Sequence, residues 1–130
     1  MADFVIRRWE LTHYDGFQAP PHVHDRGDEA FCVLRGRLRV LVGEEWVELG
    51  PGDHVMIPAG TAHTFTTAGT EGADVLAVMT PEIDALVAAL HSATDDAERA
   101  IVWRRHHAHL VQLGDRLRPG DADSPSANVD

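Results

Sequence analysis

Short apolar runs follow one another along the first 80 residues, and glycine or proline interrupts them at close intervals. The runs lie between Phe4 and Met79, are rich in valine, leucine, isoleucine and phenylalanine, and have the length of strands. This spacing is typical of an antiparallel sandwich or barrel, so it predicts an all-β fold for this part of the chain. We predict eight strands, over Phe4–Leu11, Phe17–His24, Glu29–Leu34, Arg37–Val42, Glu45–Leu49, His54–Ile57, His63–Thr67 and Asp74–Met79.

After these strands the apolar residues recur at a helical period. Thr80 can cap a helix, and Pro81 suits its first position. The apolar side of this helix consists of Ile83, Leu86, Val87 and Leu90. A second helix is predicted over Asp95–Leu113, with acidic residues in its first turn, basic residues near its end and Gly114 as its stop.

The chain has the length of one domain, and its sequence divides into three parts. Residues 1–80 are predicted to form the barrel, and residues 81–114 a helical extension that packs on the barrel or on a partner subunit. The second helix carries an apolar stripe that either covers the barrel mouth or faces the partner: Trp103, His106, Leu110 and Leu113. Residues 115–130 form an acidic tail of low apolar content, which we expect to be disordered.

Composition narrows the possible partners. The formal net charge of −10 argues against nucleic-acid binding, which depends on basic side chains at the phosphates. No run approaches the ~20 apolar residues that span a bilayer, and the N-terminus lacks the features of a signal peptide. We therefore expect a cytoplasmic protein with no membrane or nucleic-acid partner. Cys32 is the only cysteine, so a metal would be bound through nitrogen and oxygen.

Four side chains with metal-binding chemistry are predicted to converge. Residues two apart on a strand face the same side of the sheet, so His22 and His24 project together. A short turn then lets Glu29, on the next strand, face them. His63 begins a later strand, after a turn that contains proline and glycine.

Two stretches of sequence carry these side chains. The first, from Gly16 to Gly36, reads glycine, five residues, H-x-H, four residues, E, six residues, glycine. The second, from Gly52 to His63, reads G-x5-P-x-G-x2-H. The pair resembles the two signatures of the cupin superfamily, and the short segment between them resembles that of small single-domain cupins. One departure is Thr67, because the second signature usually ends in asparagine at that position.

The resemblance implies a double-stranded β-helix barrel, or jelly roll, with a metal between its two sheets and often a homodimer through an edge strand. Its metal ligands are His22, His24, Glu29 and His63. Three imidazoles and one carboxylate suit a divalent transition metal such as iron, manganese, nickel, copper or cobalt, and zinc less distinctively. Asp28 is an alternative ligand to Glu29, but period-two alternation from Glu29 places that residue with the inward apolar set.

Several other residues are weaker candidates for a functional role. His54 is expected to be exposed or bonded to backbone, and the histidines at the end of the second helix to interact with the helix dipole and solvent: His106, His107 and His109. A substrate pocket is predicted from the same alternation, with the lining Phe31, Val33, Arg39, Met56, Phe65 and Met79. Such a lining suggests a hydrophobic or aromatic small-molecule substrate.

Three functions are compatible with this site. The first is an oxygenase in the manner of quercetinase-like cupins, acting on an aromatic or enolisable substrate, with Glu29 as both ligand and base. The second is an isomerase, cyclase or lyase in which the metal acts as a Lewis acid. The third is a binding or sensing module without catalysis, since a fold alone does not fix a function.

Overall fold

The structure, a computed structural model, describes residues 3–114. Its first 79 residues contain eight strands. They are β1 (Val5–Leu11), β2 (His22–His24), β3 (Glu29–Gly36), β4 (Leu38–Val42), β5 (Glu45–Leu49), β6 (His54–Ile57), β7 (His63–Thr67) and β8 (Ala73–Met79). All eight predicted strands are confirmed. Only β2 is much shorter than expected, because Pro20 and Pro21 precede it and have no N–H to donate to a neighbouring strand.

The strands form two antiparallel sheets. One has four strands in the order β1-β8-β3-β6. The other has five, in the order β5-β4-β7-β2-β9, where β9 (Ala108–Leu110) is a short strand near the C-terminal end of the described residues. The core lies between them and is filled by side chains that alternate inward along β3, β4 and β8, such as Phe31, Val33, Leu38, Val40 and Val75. The two-sheet barrel predicted from the sequence is therefore present.

The first helix is confirmed at α1 (Pro81–Ser92). The Thr80 side chain accepts a hydrogen bond from the Ile83 backbone N–H at 3.3 Å, and Pro81 takes the first helical position. Helix α1 buries Ile83 in the barrel core and Leu86 against the C-terminal elements. Arg7 on β1 makes two 2.9 Å hydrogen bonds to the Asp84 carboxylate, which fasten the helix to the edge of the barrel.

The second helix is shorter than predicted. It is α2 (Asp96–Arg105), capped by Asp95, whose carboxylate accepts from the Glu98 backbone N–H at 2.7 Å. The chain then turns through His107, which has a left-handed φ of 58°, and continues as β9 (Ala108–Leu110). The prediction of a helix to Leu113 with a stop at Gly114 is wrong, because β9 pairs with β2 instead of continuing the helix.

A second small core joins the C-terminal elements. It contains Leu86 of α1, Trp103 of α2 and Ala108 of β9. Within residues 3–114, neither helix is long and apolar enough to cross a membrane. The predicted tail, residues 115–130, lies outside the described residues.

Candidate metal centre

The strand β2 and the turn after it bring three of the predicted ligands together. His22, His24 and Glu29 are all buried, as the period-two pattern requires. The connecting turn contains Gly27 at a φ of 83°, and a Cβ atom there would lie 2.7 Å from Thr80 Cγ2 at the start of α1. Only glycine fits this backbone conformation and this close approach, so Gly27 allows Glu29 to fold back towards the histidines.

Two hydrogen bonds hold the fourth ligand against β2. The Gly60 backbone N–H donates to the His24 carbonyl at 2.8 Å, and the Ala59 N–H donates to the Asp28 carboxylate at 2.9 Å. The turn before β7 is thereby tied to the turn after β2, and His63 lies directly across from His22 in the sheet. Asp28 is exposed and occupied by this backbone bond, which agrees with the choice of Glu29 as the inward carboxylate.

The four side chains form one compact cluster. Their candidate ligand atoms all lie within 4.8 Å of one another. His22 Nε2 is 3.2 Å from His24 Nε2, and Glu29 Oε1 is 3.1 Å from His63 Nε2 and 3.5 Å from His24 Nε2. The structure therefore brings together the four residues predicted as ligands.

Backbone carbonyls fix which ring nitrogen faces the cluster. His22 Nδ1 lies 2.6 Å from the Pro20 oxygen, and His63 Nδ1 lies 2.9 Å from the Thr61 oxygen. A carbonyl can only accept a hydrogen bond, so Nδ1 carries the hydrogen in both rings and the lone pair of the neutral ring is on Nε2. Such outer contacts orient histidines that bind metals.

The protonation states of these side chains are also the ones that bind a metal. Burial, with the charge of His63 next in importance, lowers the pKa of His22 to about 3, so this ring is neutral at pH 7. Burial opposes ionisation of Glu29, but the hydrogen bonds and charge that His24 and His63 supply in their protonated forms outweigh it and lower the pKa to about 2. A buried anion beside converging nitrogen lone pairs is an arrangement that a divalent cation would stabilise. The donor set thus fits a metal ion.

A cavity of about 580 Å³ opens onto one side of this cluster. His22, His24 and Glu29 contribute to its lining, whereas His63 does not. Trp103 of α2 forms part of the wall, with its ring centroid 5.0 Å from that of His22. Of the two positions predicted for the helical stripe, Trp103 therefore takes the one over the barrel mouth.

The sequence profile of the cupin domain matches residues 10–79, more than half of the chain. The chain belongs to the cupin superfamily. Its two facing antiparallel sheets are the double-stranded β-helix of that superfamily. The elements α1, α2 and β9 all follow the matched residues. The part of the cavity wall that the two helices build, including Trp103, therefore lies outside the shared domain. A search of curated proteins gave no significant match.

Solved structures of similar fold come from several bacteria. A protein from Thermus thermophilus is 31% identical, with a TM-score of 0.54 over 60% of this cupin and 72% of that chain. A sugar phosphate isomerase of the cupin superfamily from Silicibacter pomeroyi is 26% identical, with a TM-score of 0.53 over 62% of this chain and 52% of that one. A cupin from Bacteroides fragilis is 18% identical, with a TM-score of 0.54 over 62% and 67%, and shows the fold alone. The chain thus spans about half the length of the Silicibacter isomerase, and 49% of a structure from Acidithiobacillus ferrooxidans.

The cavity of this cupin differs from the predicted pocket. Of the six residues predicted to line it, only Phe65 does so. Phe31, Val33 and Met79 are almost completely buried in the core, because the barrel interior is packed rather than hollow. The space lies instead at the barrel mouth, beneath the two helices.

The other two predicted lining residues face outward. Met56 is 56% exposed, because its neighbours Val55 and Ile57 pair across from inward residues of β3 and so take the inward side of β6. Arg39 points out of β4, and its Nε lies 3.1 Å from the Glu48 carboxylate on β5. For both residues the prediction is corrected by the register of the sheet.

Four other histidines considered in the sequence lie outside the cluster: His54, His106, His107 and His109. His54 is exposed, as expected. The three near the end of α2 have local partners: His106 Nδ1 donates to the Val102 carbonyl, His107 Nδ1 is 3.0 Å from the Glu82 carboxylate, and His109 Nδ1 is 3.1 Å from that of Asp25. Among residues 3–114, none of them joins a second group suited to a metal.

Proposed function

We propose that this cupin is a metal-dependent enzyme that acts on a small aromatic or enolisable substrate, and that it is an oxygenase. The observation that carries the proposal is that three of four clustered metal ligands line a cavity of about 580 Å³ with largely apolar walls. A structural metal site is closed by its protein ligands, whereas a reactive site keeps an open side. The volume is within the range of small-molecule sites.

The roles of the residues follow from their positions. His22, His24, Glu29 and His63 would hold the ion, and the bound ion would supply Lewis acidity and, if redox-active, reactivity towards dioxygen. Phe65 and Trp103 line the cavity beside the cluster, and with a substrate bound their rings would exclude water from it.

Glu29 is the carboxylate at the base of the cavity and is assigned as the acceptor of a proton from the substrate. Its low pKa is caused by contacts with His24 and His63. Movement of the carboxylate towards substrate would weaken those contacts and make it more basic.

The metal site is tested by elemental analysis of protein purified without chelator or an affinity-column metal. We expect near one equivalent of a transition metal in the wild type and in His54→Ala, whose histidine is exposed and outside the cluster. The double variant His22→Ala/His63→Ala is expected to lose the metal. A wild type that stays metal-free after reconstitution would contradict the proposal.

The reaction is tested by oxygen uptake with flavonols and 1,3-diketones. Glu29→Ala is expected to lose turnover more completely than it loses metal. Near-normal turnover in that variant would contradict the role of Glu29 as base.

A second candidate is Lewis-acid isomerisation. The observation in its favour is the 26% identity to a sugar phosphate isomerase, together with two arginines, Arg8 and Arg99, in the cavity lining. Isomerisation of sugar phosphates under anaerobic conditions, without oxygen uptake by the enolisable compounds, would select this function instead. Failure of both reactions in metal-loaded protein would leave a binding or sensing module as the better account.

A further inference from the structure

One wall of the cavity is built by the two C-terminal helices. It presents apolar side chains from α1, including Leu86, Val87 and Leu90, and the indole of Trp103 from α2. Because these residues lie after residue 79, the matched cupin domain does not contain them. The C-terminal segment therefore contributes an apolar wall of the cavity, separate in origin from the apolar residues of the barrel such as Trp9 and Phe65.

Cationic side chains are present at the same cavity, although the chain has a formal net charge of −10 and contains no lysine. Two arginines belong to the cavity lining, Arg8 on β1 and Arg99 on α2. The carboxylates of the lining are Glu29 in the metal cluster and Glu10, which is two residues from Arg8 on the same side of β1. A divalent ion held by Glu29 would leave a positive charge at the cavity base.

Arg99 is the cation best placed to exchange its partner for a ligand. Its Nη1 lies 3.1 Å from the Asp96 carboxylate, which is fully exposed, so water already competes for that pair and its loss costs little. Its Nη2 makes a second contact, 3.5 Å from the Ala93 carbonyl oxygen, at the outer limit of a hydrogen bond. Arg8, in contrast, donates to Asp74 at 2.8 Å, and Asp74 also pairs with Arg35 at 3.4 Å. Arg8 is therefore fixed in a network along the sheet, whereas Arg99 can turn towards the cavity.

We propose that the cavity binds a small organic anion, whose apolar body lies against the α1–α2 wall and whose anionic group is bound by Arg99. This inference rests on the proposed function in that the cavity is taken as the substrate site. It further specifies that the substrate is an anion and that residues of the C-terminal helices recognise it.

The test uses 3-phenylpropionate and the neutral 3-phenylpropionamide, titrated calorimetrically into zinc-loaded protein. We expect the acid to bind more tightly than the amide. Arg99→Gln should lower the affinity for the acid by about fivefold, the scale of a partly exposed ion pair, and leave the affinity for the amide unchanged. Arg104→Gln is the matched control, because Arg104 is an exposed arginine of the same helix and is not in the cavity lining; it should bind both compounds as the wild type does.

A second titration, with metal-free protein, separates Arg99 from the ion. If Arg99 binds the anionic group, the preference for the acid persists without metal and is still lost in Arg99→Gln. If the preference disappears with the metal, or if Arg99→Gln binds the acid as well as the wild type does, the proposal is overturned. Because zinc content is measured on the same samples, loss of the metal site itself is distinguished from failure of the anion site.

Discussion

Acid is expected to destabilise the metal-free protein through His22. This ring is 6% exposed, and burial, followed by the charge of His63, lowers its pKa to about 3 in the folded state. In the unfolded chain the ring is solvated and its pKa returns to about 6.5. Below pH 6.5 the unfolded chain therefore takes up a proton at His22 that the folded protein does not, and stability falls as the pH is lowered towards 3.

The size of the effect follows from proton linkage. A difference of one bound proton changes the free energy of unfolding by about 1.4 kcal/mol per pH unit. Because the unfolded ring is half protonated at pH 6.5, His22 alone removes about 2 kcal/mol between pH 6.5 and 4.5. Glu29 acts in the same direction at lower pH: its folded pKa of about 2 is below the ordinary 4.5, so its stabilisation is complete above 4.5 and is lost as the pH falls towards 2. Against the 5–15 kcal/mol typical of a small domain, these losses are large.

The assay is urea unfolding of chelator-treated protein at pH 7, 5.5 and 4.5. We compare the pH slope of the wild type with that of His22→Gln, which removes the titrating ring, and with that of His54→Gln, which replaces an exposed histidine on β6. Between pH 5.5 and 4.5 the His22 variant should lose about 1.3 kcal/mol per pH unit from its slope, and the His54 variant should keep the wild-type slope. Equal slopes in wild type and His22→Gln would refute the assignment of a buried, neutral ring.

Three further outcomes are expected. A divalent ion at a hundred times its dissociation constant should stabilise the wild type by about 2.7 kcal/mol, which raises the melting temperature in scanning calorimetry by about 10 °C. The melting temperature of the His22→Ala/His63→Ala variant should not change. An equal rise in both proteins would place binding elsewhere. Leu86→Ala should lower the free energy of unfolding in urea by about 2–4 kcal/mol, because Leu86 is 1% exposed. Leu34, which is 44% exposed, should tolerate alanine. Equal losses in the two variants would contradict the small C-terminal core. Val111→Pro removes the N–H that donates to the Pro21 carbonyl at 3.0 Å, which should loosen β9 from β2. Zinc affinity, measured by competition with a chelator, should then fall up to about tenfold. An unchanged affinity would show that β9 does not support the ligands.

The barrel and its ligand cluster could be predicted because their signals are local. Alternating apolar residues specify strands whatever their partners are, and the H-x-H spacing puts His22 and His24 on one side of any extended strand. The same alternation puts Glu29 in the inward set with Phe31. The start of α1 was equally predictable, because Thr80 and Pro81 act within one turn.

The end of α2 was not predictable in this way. The helix ends in a left-handed residue, a position that usually requires glycine, and His107 occupies it with a φ of 58°. Nothing in the residues after it distinguishes a strand from another helical turn. Pairing with β2, a contact between segments more than 80 residues apart, decides the outcome.

The sequence by itself determined the strands, the first helix and the four candidate ligands, since each depends on spacing along the chain. The tertiary structure alone decided where the cavity lies. Phe31 and Met79 face inward as predicted, but close packing leaves no space beside them. The space remains where α1 and α2 cross the barrel mouth and Trp103 reaches His22, and that placement depends on contacts between segments distant in sequence, which no local pattern records.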